Sequence, residues 1–90
     1  MSKFTIEQRN KIYKEALNMF EAGNFHFLCP AIDYAAYRSG FNKPFQDVKT
    51  LIDFPEFESF EPEDKYIWWE AYDRTSRIAC LKKCIEITNK

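Results

Sequence analysis

The sequence predicts an all-α protein, a compact single domain of about four helices over residues 1–90, with an irregular aromatic-rich segment before the last helix. Apolar residues recur at helical spacing, prolines and glycines separate those segments, and no internal repeat or low-complexity tract interrupts them. Aromatic residues make up 18% of the chain. Because a chain of 90 residues buries a small fraction of its surface, large side chains are expected to build the core of a monomer or a homodimer.

The first helix is predicted over residues 6–22. Thr5 and Gln8 have the spacing of a capping box, in which each side chain accepts a hydrogen bond from the backbone of the other residue. Gly23 is expected to end the helix, because glycine adopts the left-handed conformation at low cost. The apolar stripe of this helix consists of Ile6, Tyr13, Ala16, Leu17 and Phe20.

The second helix is expected to end at Gly40 and to begin either at Asn24 or near Cys29. The start is ambiguous because Pro30 is tolerated only in a first helical turn. A seam of small apolar residues should let the first helix approach closely in an antiparallel hairpin. The seam consists of Leu28, Ala31, Ile32 and Ala35.

A third, shorter helix is predicted over residues 41–54, capped by Asn42, with Pro44 in its first turn and Pro55 after its end. Its apolar positions are Phe45, Val48, Leu51 and Ile52. Three phenylalanines that follow or end this helix are expected to form a hydrophobic wedge between two prolines. They are Phe54, Phe57 and Phe60.

The last helix is predicted over residues 74–88, with Asp73 as its N-cap. The predicted apolar face consists of Ile78, Leu81 and Ile85, with Cys84 at its edge. Lysines in the later turns favour the negative end of the helix dipole.

The formal net charge of −1 argues against general binding to a nucleic-acid backbone. The acidic residues concentrate between 54 and 73, and basic residues follow in the last helix, so the two either neutralise each other or leave an anion site. An odd count of three cysteines, no signal-peptide pattern and no apolar run near the length of a membrane span predict a cytoplasmic protein with reduced thiols and no membrane association.

The strongest functional pattern is a set of aromatic residues next to two arginines near the start of the last helix. Such a set suits a protein-binding hot spot, and it equally suits a nucleotide, whose base stacks while its phosphate accepts hydrogen bonds from guanidinium groups. Packing of the tryptophans in the core is the competing interpretation. The predicted binding residues are Tyr66, Trp68, Trp69, Tyr72, Arg74 and Arg77.

The cysteines and the single histidine supply a second, weaker pattern. His26, Cys29, Cys80 and Cys84 have the donor types of a structural zinc site, but the last pair has helical spacing and not that of common zinc modules. A catalytic pair of His26 with Cys29 or Cys84 is a further hypothesis. Neither pattern carries a recognisable motif, so no metal, cofactor or catalytic residue is predicted.

Several short motifs together resemble those of small, functionally uncharacterised proteins encoded by bacteriophages and mobile elements. The motifs are FLCPAI at 27–32, FPEF at 54–57, WW at 68–69, and RI with LKKCI between 77 and 85. The resemblance implies a non-enzymatic accessory protein in the cytoplasm of a bacterial host, which binds a host protein and inhibits a defence system. Sequestration of a nucleotide-derived signalling molecule is the alternative that it implies.

Overall fold

The computed structural model describes residues 2–59 and 74–89, and all regular structure in these two ranges is helical. The elements are α1 (Ile6–Glu21), α2 (Leu28–Arg38), the single turn α3 (Thr50–Asp53), a 3-10 turn (Pro55–Ser59) and α4 (Arg74–Thr88). The helix α1 packs against both α2 and α4, and the Cα radius of gyration of 11.9 Å is that of a compact chain. The all-α prediction is confirmed for the described residues, with three helices longer than a single turn.

Both ends of α1 follow from local sequence. The backbone N–H of Gln8 donates to the Thr5 hydroxyl at 3.1 Å, and the Gln8 side chain accepts from the Thr5 N–H at 2.9 Å, which confirms the capping box. After α1, Gly23 has a φ of 82°. The N–H groups of Gly23 and Asn24 donate to the carbonyls of Phe20 and Met19, which is a Schellman motif.

Gly23→Ala is expected to destabilise the protein by about 1 kcal/mol, because an L side chain strains the left-handed backbone. A Cβ at this position would meet no other atom within 4 Å, so the cost comes from the backbone alone. Urea unfolding followed by circular dichroism measures the change. Asn18→Ala, at an exposed position inside α1, is the control and should not lower the midpoint. Equal midpoints for Gly23→Ala and the wild type would contradict this account.

The helix α2 begins at Leu28, with Phe27 as an N-cap that makes no side-chain capping bond. The later of the two predicted starts is therefore correct, and Pro30 lies in the first turn. Gly40 follows the helix with a φ of 83°, as expected. All four residues of the predicted seam are buried, and so is Ala36.

The predicted helix over residues 41–54 is wrong except for its last turn, Thr50–Asp53. Asn42 does not cap a helix. Its buried side chain donates to the carbonyl of Gln46 and accepts a hydrogen bond from Lys3 Nζ at 3.0 Å. These bonds offer the segment an alternative to helical hydrogen bonding.

A tertiary hydrogen bond also holds this segment, since the Val48 N–H donates to Asp33 Oδ1 at 2.9 Å. Burial is the main cause that raises the pKa of Asp33 above its usual value, and the Val48 N–H opposes it. Val48 is buried, whereas Phe45 and Ile52 are about half exposed. The apolar residues of this segment recur at helical spacing, but they do not form one buried face.

The hydrophobic wedge is confirmed for Phe54 and Phe57, which are fully buried, while Phe60 lies outside the described residues. The Phe54 ring lies 5.4 Å from that of Phe4 and 5.5 Å from that of Tyr13, between centroids. The Phe57 ring meets Tyr13 edge-on at 6.0 Å. Aromatic contacts of this kind close the core at the side of α1.

The helix α1 buries a wider face than the predicted stripe, because it lies between α2 and α4. Its buried residues are Ile12, Tyr13, Ala16, Met19 and Phe20, whereas Ile6 and Leu17 are only partly buried. The sequence pattern identified one apolar stripe on α1. The rest of its buried face depends on its packing against two helices.

The helix α4 matches its predicted bounds, and its predicted cap Asp73 lies outside the described residues. Cys84 was expected at the edge of the apolar face but is fully buried together with Leu81, while Ile78 and Ile85 are only partly buried. The buried face of α4 is thus centred closer to the cysteines, whose small side chains suit close packing. No described helix is both long and apolar enough to cross a membrane.

Candidate binding site

The predicted binding residues are only partly described by the structure. Four of them and the side chain of a fifth lie outside its described parts: Tyr66, Trp68, Trp69, Tyr72 and the side chain of Arg74, the first residue of α4. Arg77, one turn further along α4, has a described side chain that is partly buried. Among the predicted binding residues, the structure therefore describes the side-chain surroundings of Arg77.

The guanidinium carbon of Arg77 lies 5.0 Å from the centroid of the Phe27 ring. Phe27 is 63% exposed, which is unusual for a phenylalanine in a small protein. A guanidinium group over an aromatic face contributes about 0.5–1 kcal/mol at an exposed site. This contact joins the start of α2 to the first turn of α4, and it orients Arg77 at the surface.

The pair presents two complementary kinds of chemistry. The Phe27 ring offers apolar area to a side chain or a planar group, and the Arg77 guanidinium is of the type that recognises carboxylates and phosphates. His26, next to Phe27 in the chain, is also exposed. An apolar contact beside a cation is the composition of a binding hot spot.

A second group of aromatic rings lies along the outer face of α2. We call Phe25, Tyr34, Tyr37 and Phe45 the α2 aromatic row. Successive rings in this order lie 5.7, 6.2 and 5.6 Å apart between centroids. Lys43 Nζ lies 5.9 Å from the centroid of the Tyr37 ring.

A buried polar network occupies the core beside α1. Two nitrogens of Arg9, Nε and a terminal one, donate to the carboxylate of Glu56 at 2.9 to 3.2 Å, and its other terminal nitrogen donates to the Phe4 carbonyl at 2.6 Å. The Tyr13 hydroxyl donates to Glu56 Oε1 at 2.7 Å. Glu56 is 7% exposed, so its charge is held by hydrogen bonds and not by water.

Tyr13 belongs to this network, and its pKa and that of the nearby Cys84 are both raised. Burial is the largest cause that raises the pKa of Tyr13 far above its usual value, followed by the electrostatic interaction with Cys84 and the hydrogen bond to Glu56. Burial is likewise the largest cause that raises the pKa of the Cys84 thiol. A neutral buried thiol is a poor nucleophile, so Cys84 has the properties of a packing residue.

The four residues of the weaker metal pattern lie in different environments. His26 is exposed, Cys29 is partly buried, and Cys80 and Cys84 are buried on α4. No disulfide bond joins these three described cysteines. Within residues 2–59 and 74–89, no group of three or more His, Cys, Asp or Glu side chains is placed to hold a metal ion.

An open groove of about 350 Å³ lies between α1 and the end of α4, with Lys11 and Lys14 on its α1 side. One polar residue of its lining already has partners, since the Asn10 amide donates to the Ile85 carbonyl at 3.2 Å and to the Thr88 hydroxyl at 3.0 Å.

The exposed aromatic residues of α2 were not predicted as binding residues. Phe27 lies fifty positions before Arg77, and no local spacing connects the two. The pattern that could have found the row is the recurrence of Pro30, Tyr34 and Tyr37 on the face opposite the small-residue seam.

Comparison of the chain with protein-family models, curated proteins and solved structures finds no match.

Proposed function

We propose that this protein acts by binding another protein, without catalysis, through a surface around Phe27 and Arg77. The further binding residues that the sequence predicts are Tyr66, Trp68, Trp69, Tyr72 and Arg74. The observation that carries the proposal is the largely exposed Phe27 ring, with the Arg77 guanidinium 5.0 Å from its centroid.

An exposed aromatic ring beside a guanidinium group favours protein binding on energetic grounds. Aromatic and arginine side chains contribute most of the binding free energy at protein interfaces, because they bury a large area and still provide directed hydrogen bonds. The contact with Phe27 holds Arg77 in place before binding, which reduces the entropy lost on association.

The partner that we propose is a protein of a bacterial host, and the consequence of binding is inhibition of a defence system in the cytoplasm. This part of the proposal rests on the motifs that resemble those of phage-encoded accessory proteins. The pair at Phe27 and Arg77 supports binding as the mode of action, whatever the partner is.

The alternative function is capture of a nucleotide-derived signalling molecule on the same surface. The specific observation that favours it is again the arginine over the ring, because a base can stack on exposed aromatic residues while guanidinium groups hold the phosphates. The formal net charge of −1 does not exclude a small anion that binds at one cationic residue.

The third hypothesis, a small enzyme that uses His26 and a cysteine, has less support. The raised pKa of the Cys84 thiol disfavours the thiolate that nucleophilic catalysis requires. Among the described residues, no hydrogen bond joins His26 to Cys29.

Arg77→Ala is expected to weaken binding at least tenfold, about 1.4 kcal/mol, without unfolding the protein. The bait is the tagged full chain in a bacterial lysate, and the captured proteins are identified by mass spectrometry. Each purified candidate is then titrated against the wild type and the variants by calorimetry. A cyclic dinucleotide and ADP-ribose are titrated in parallel, so that each of the two proposed functions has its own readout.

Lys82→Ala is the matched control, because Lys82 is an exposed cation on the same helix. Arg77→Lys separates charge from the planar geometry of the guanidinium group. Circular dichroism verifies that each variant is folded. If folded Arg77→Ala binds both the captured protein and the nucleotides as the wild type does, the proposed surface is wrong.

A further inference from the structure

The α2 aromatic row is a surface that the proposed binding site does not use. Tyr34 and Tyr37 lie on the face of α2 opposite the seam that packs against α1. Phe25, before the helix, packs against Tyr34, and Phe45, after it, packs against Tyr37. Phe45 is 48% exposed and Tyr34 is 37% exposed, so two large rings of the row remain accessible to solvent. Contiguous exposed aromatic residues on a small protein mark an interaction surface.

The row is pre-organised, because each ring already contacts the next at 5.6 to 6.2 Å between centroids. The last of these contacts is edge-on, between Tyr37 and Phe45, and it holds the Phe45 side chain, which lies within the irregular segment after α2. Rings held in this way lose little side-chain entropy when a partner covers them.

Charges of both signs border the row. Lys43 lies against the Tyr37 ring, and Arg38 follows Tyr37 with only a long contact of 3.9 Å to Glu15. On the acidic side, the exposed Asp47 lies two residues after Phe45, close enough to raise the pKa of Asp33 through its charge.

A border with both signs is complementary to itself. In a twofold arrangement, the same patch meets itself in reverse, so a border of both signs allows a pairing in which the cations of one copy face the carboxylate of the other. A strongly acidic or strongly basic partner would meet like charges on part of this border. The formal net charge of −1 adds little long-range repulsion between two copies.

We propose that the α2 aromatic row is the interface of a twofold symmetric homodimer. The row packs against the row of a second copy, and Lys43 and Arg38 face acidic groups such as Asp47 across it. Neither Phe27 nor Arg77 belongs to the row, so the proposed dimer contains two copies of the proposed binding pair.

Sedimentation velocity of the purified full chain over a hundredfold range of concentration tests this proposal. The wild type is expected to shift from monomer to dimer as concentration rises. Phe45→Glu and Tyr34→Glu are expected to raise the dissociation constant at least tenfold, because each variant places a charge in the centre of the apolar contact. Phe27→Glu, at the other exposed aromatic position, is the matched control and should dimerise as the wild type does.

The charge border is tested with Lys43→Glu and Asp47→Lys. Each variant alone should dimerise more weakly than the wild type, and an equimolar mixture of the two should recover a heterodimer. A monomer at every concentration, or dimers that tolerate Phe45→Glu and Tyr34→Glu, would overturn the proposal. The proposal is also wrong if the protein is monomeric and these two variants lose binding to a different protein. The row would then be the binding surface for that partner. Because Arg77→Ala leaves the row intact, failure of this proposal is distinguishable from failure of the proposed function.

Discussion

Glu56→Ala is expected to destabilise the protein by about 3 kcal/mol, because it leaves the Arg9 guanidinium, whose side chain is only 13% exposed, without its counter-charge. Three hydrogen bonds from Arg9 to this carboxylate, at 2.9 to 3.2 Å, and one from Tyr13 would be lost together. Glu56 lies in the 3-10 turn, whereas Arg9 and Tyr13 lie on α1. The substitution therefore also removes the polar contacts between the turn and the helix, while the Phe57 ring still packs against Tyr13.

Chemical unfolding in urea, followed by far-ultraviolet circular dichroism, measures this effect. A domain of this size is stabilised by about 0.05–0.15 kcal/mol per residue, so the variant is expected to be partly unfolded at room temperature. Glu56→Gln is the milder variant, because the amide oxygen still accepts the hydrogen bond from Tyr13. Glu56→Gln should therefore lower the free energy of unfolding less than Glu56→Ala does.

A double-mutant cycle of Arg9→Met and Glu56→Met isolates the coupling between the two charges. The double variant should be more stable than the sum of the single losses predicts, by about 0.5–3 kcal/mol, since no buried charge is left alone. The surface pair of Glu15 and Arg38 is the control, with side chains 32% and 56% exposed. Glu15→Ala should change stability by no more than about 0.5 kcal/mol. If Glu56→Ala and Glu15→Ala lower the free energy of unfolding equally, the buried network contributes no more to stability than the surface pair does.

Phe54→Ala is expected to cost about 3–5 kcal/mol, because it removes a fully buried ring from the centre of the aromatic core. The cavity would lie between Phe4, which precedes α1, and Tyr13 on α1. Those two rings cannot close the space without leaving their other contacts, since Tyr13 also packs against Phe57 and bonds to Glu56.

Thermal unfolding by differential scanning calorimetry measures the loss, and Phe45→Ala is the matched control. Phe45 is the same residue type at a position 48% exposed, so its removal should cost far less stability in the monomer. Phe54→Leu should recover part of the loss, because leucine refills part of the cavity. If Phe54→Ala and Phe45→Ala melt at the same temperature, Phe54 is not the core residue that its burial indicates.

Local signals predicted α1, α2 and α4 well because those signals act within a few residues. The capping box at Thr5 and the glycines after α1 and α2 determine where helices begin and end, and the small residues of α2 identify its packed face. The same reasoning failed over residues 41–54. There, Asp33 and Lys3, both distant in the chain, supply hydrogen bonds that replace those of a helix.

The candidate site was predictable only in part. Arg77 was found because it follows a conspicuous run of aromatic residues, but its partner Phe27 was not, since the contact joins two helices. The position of Cys84 was missed for a related reason. Helical spacing alone does not show which edge of a face another helix will cover, and α1 covers the side of α4 that includes the cysteines.

The sequence by itself determined the helical class, the start of α1, the glycines that follow α1 and α2, the bounds of α4 and the burial of Phe54 and Phe57. Each of these depends on propensity, capping or local apolar pattern, which nearby residues decide. The tertiary structure alone decided the irregular path after α2, the Arg9–Glu56–Tyr13 network and the exposure of Phe27 and of the α2 aromatic row. These features depend on contacts between distant residues, whose energies exceed local preferences only after the helices have packed.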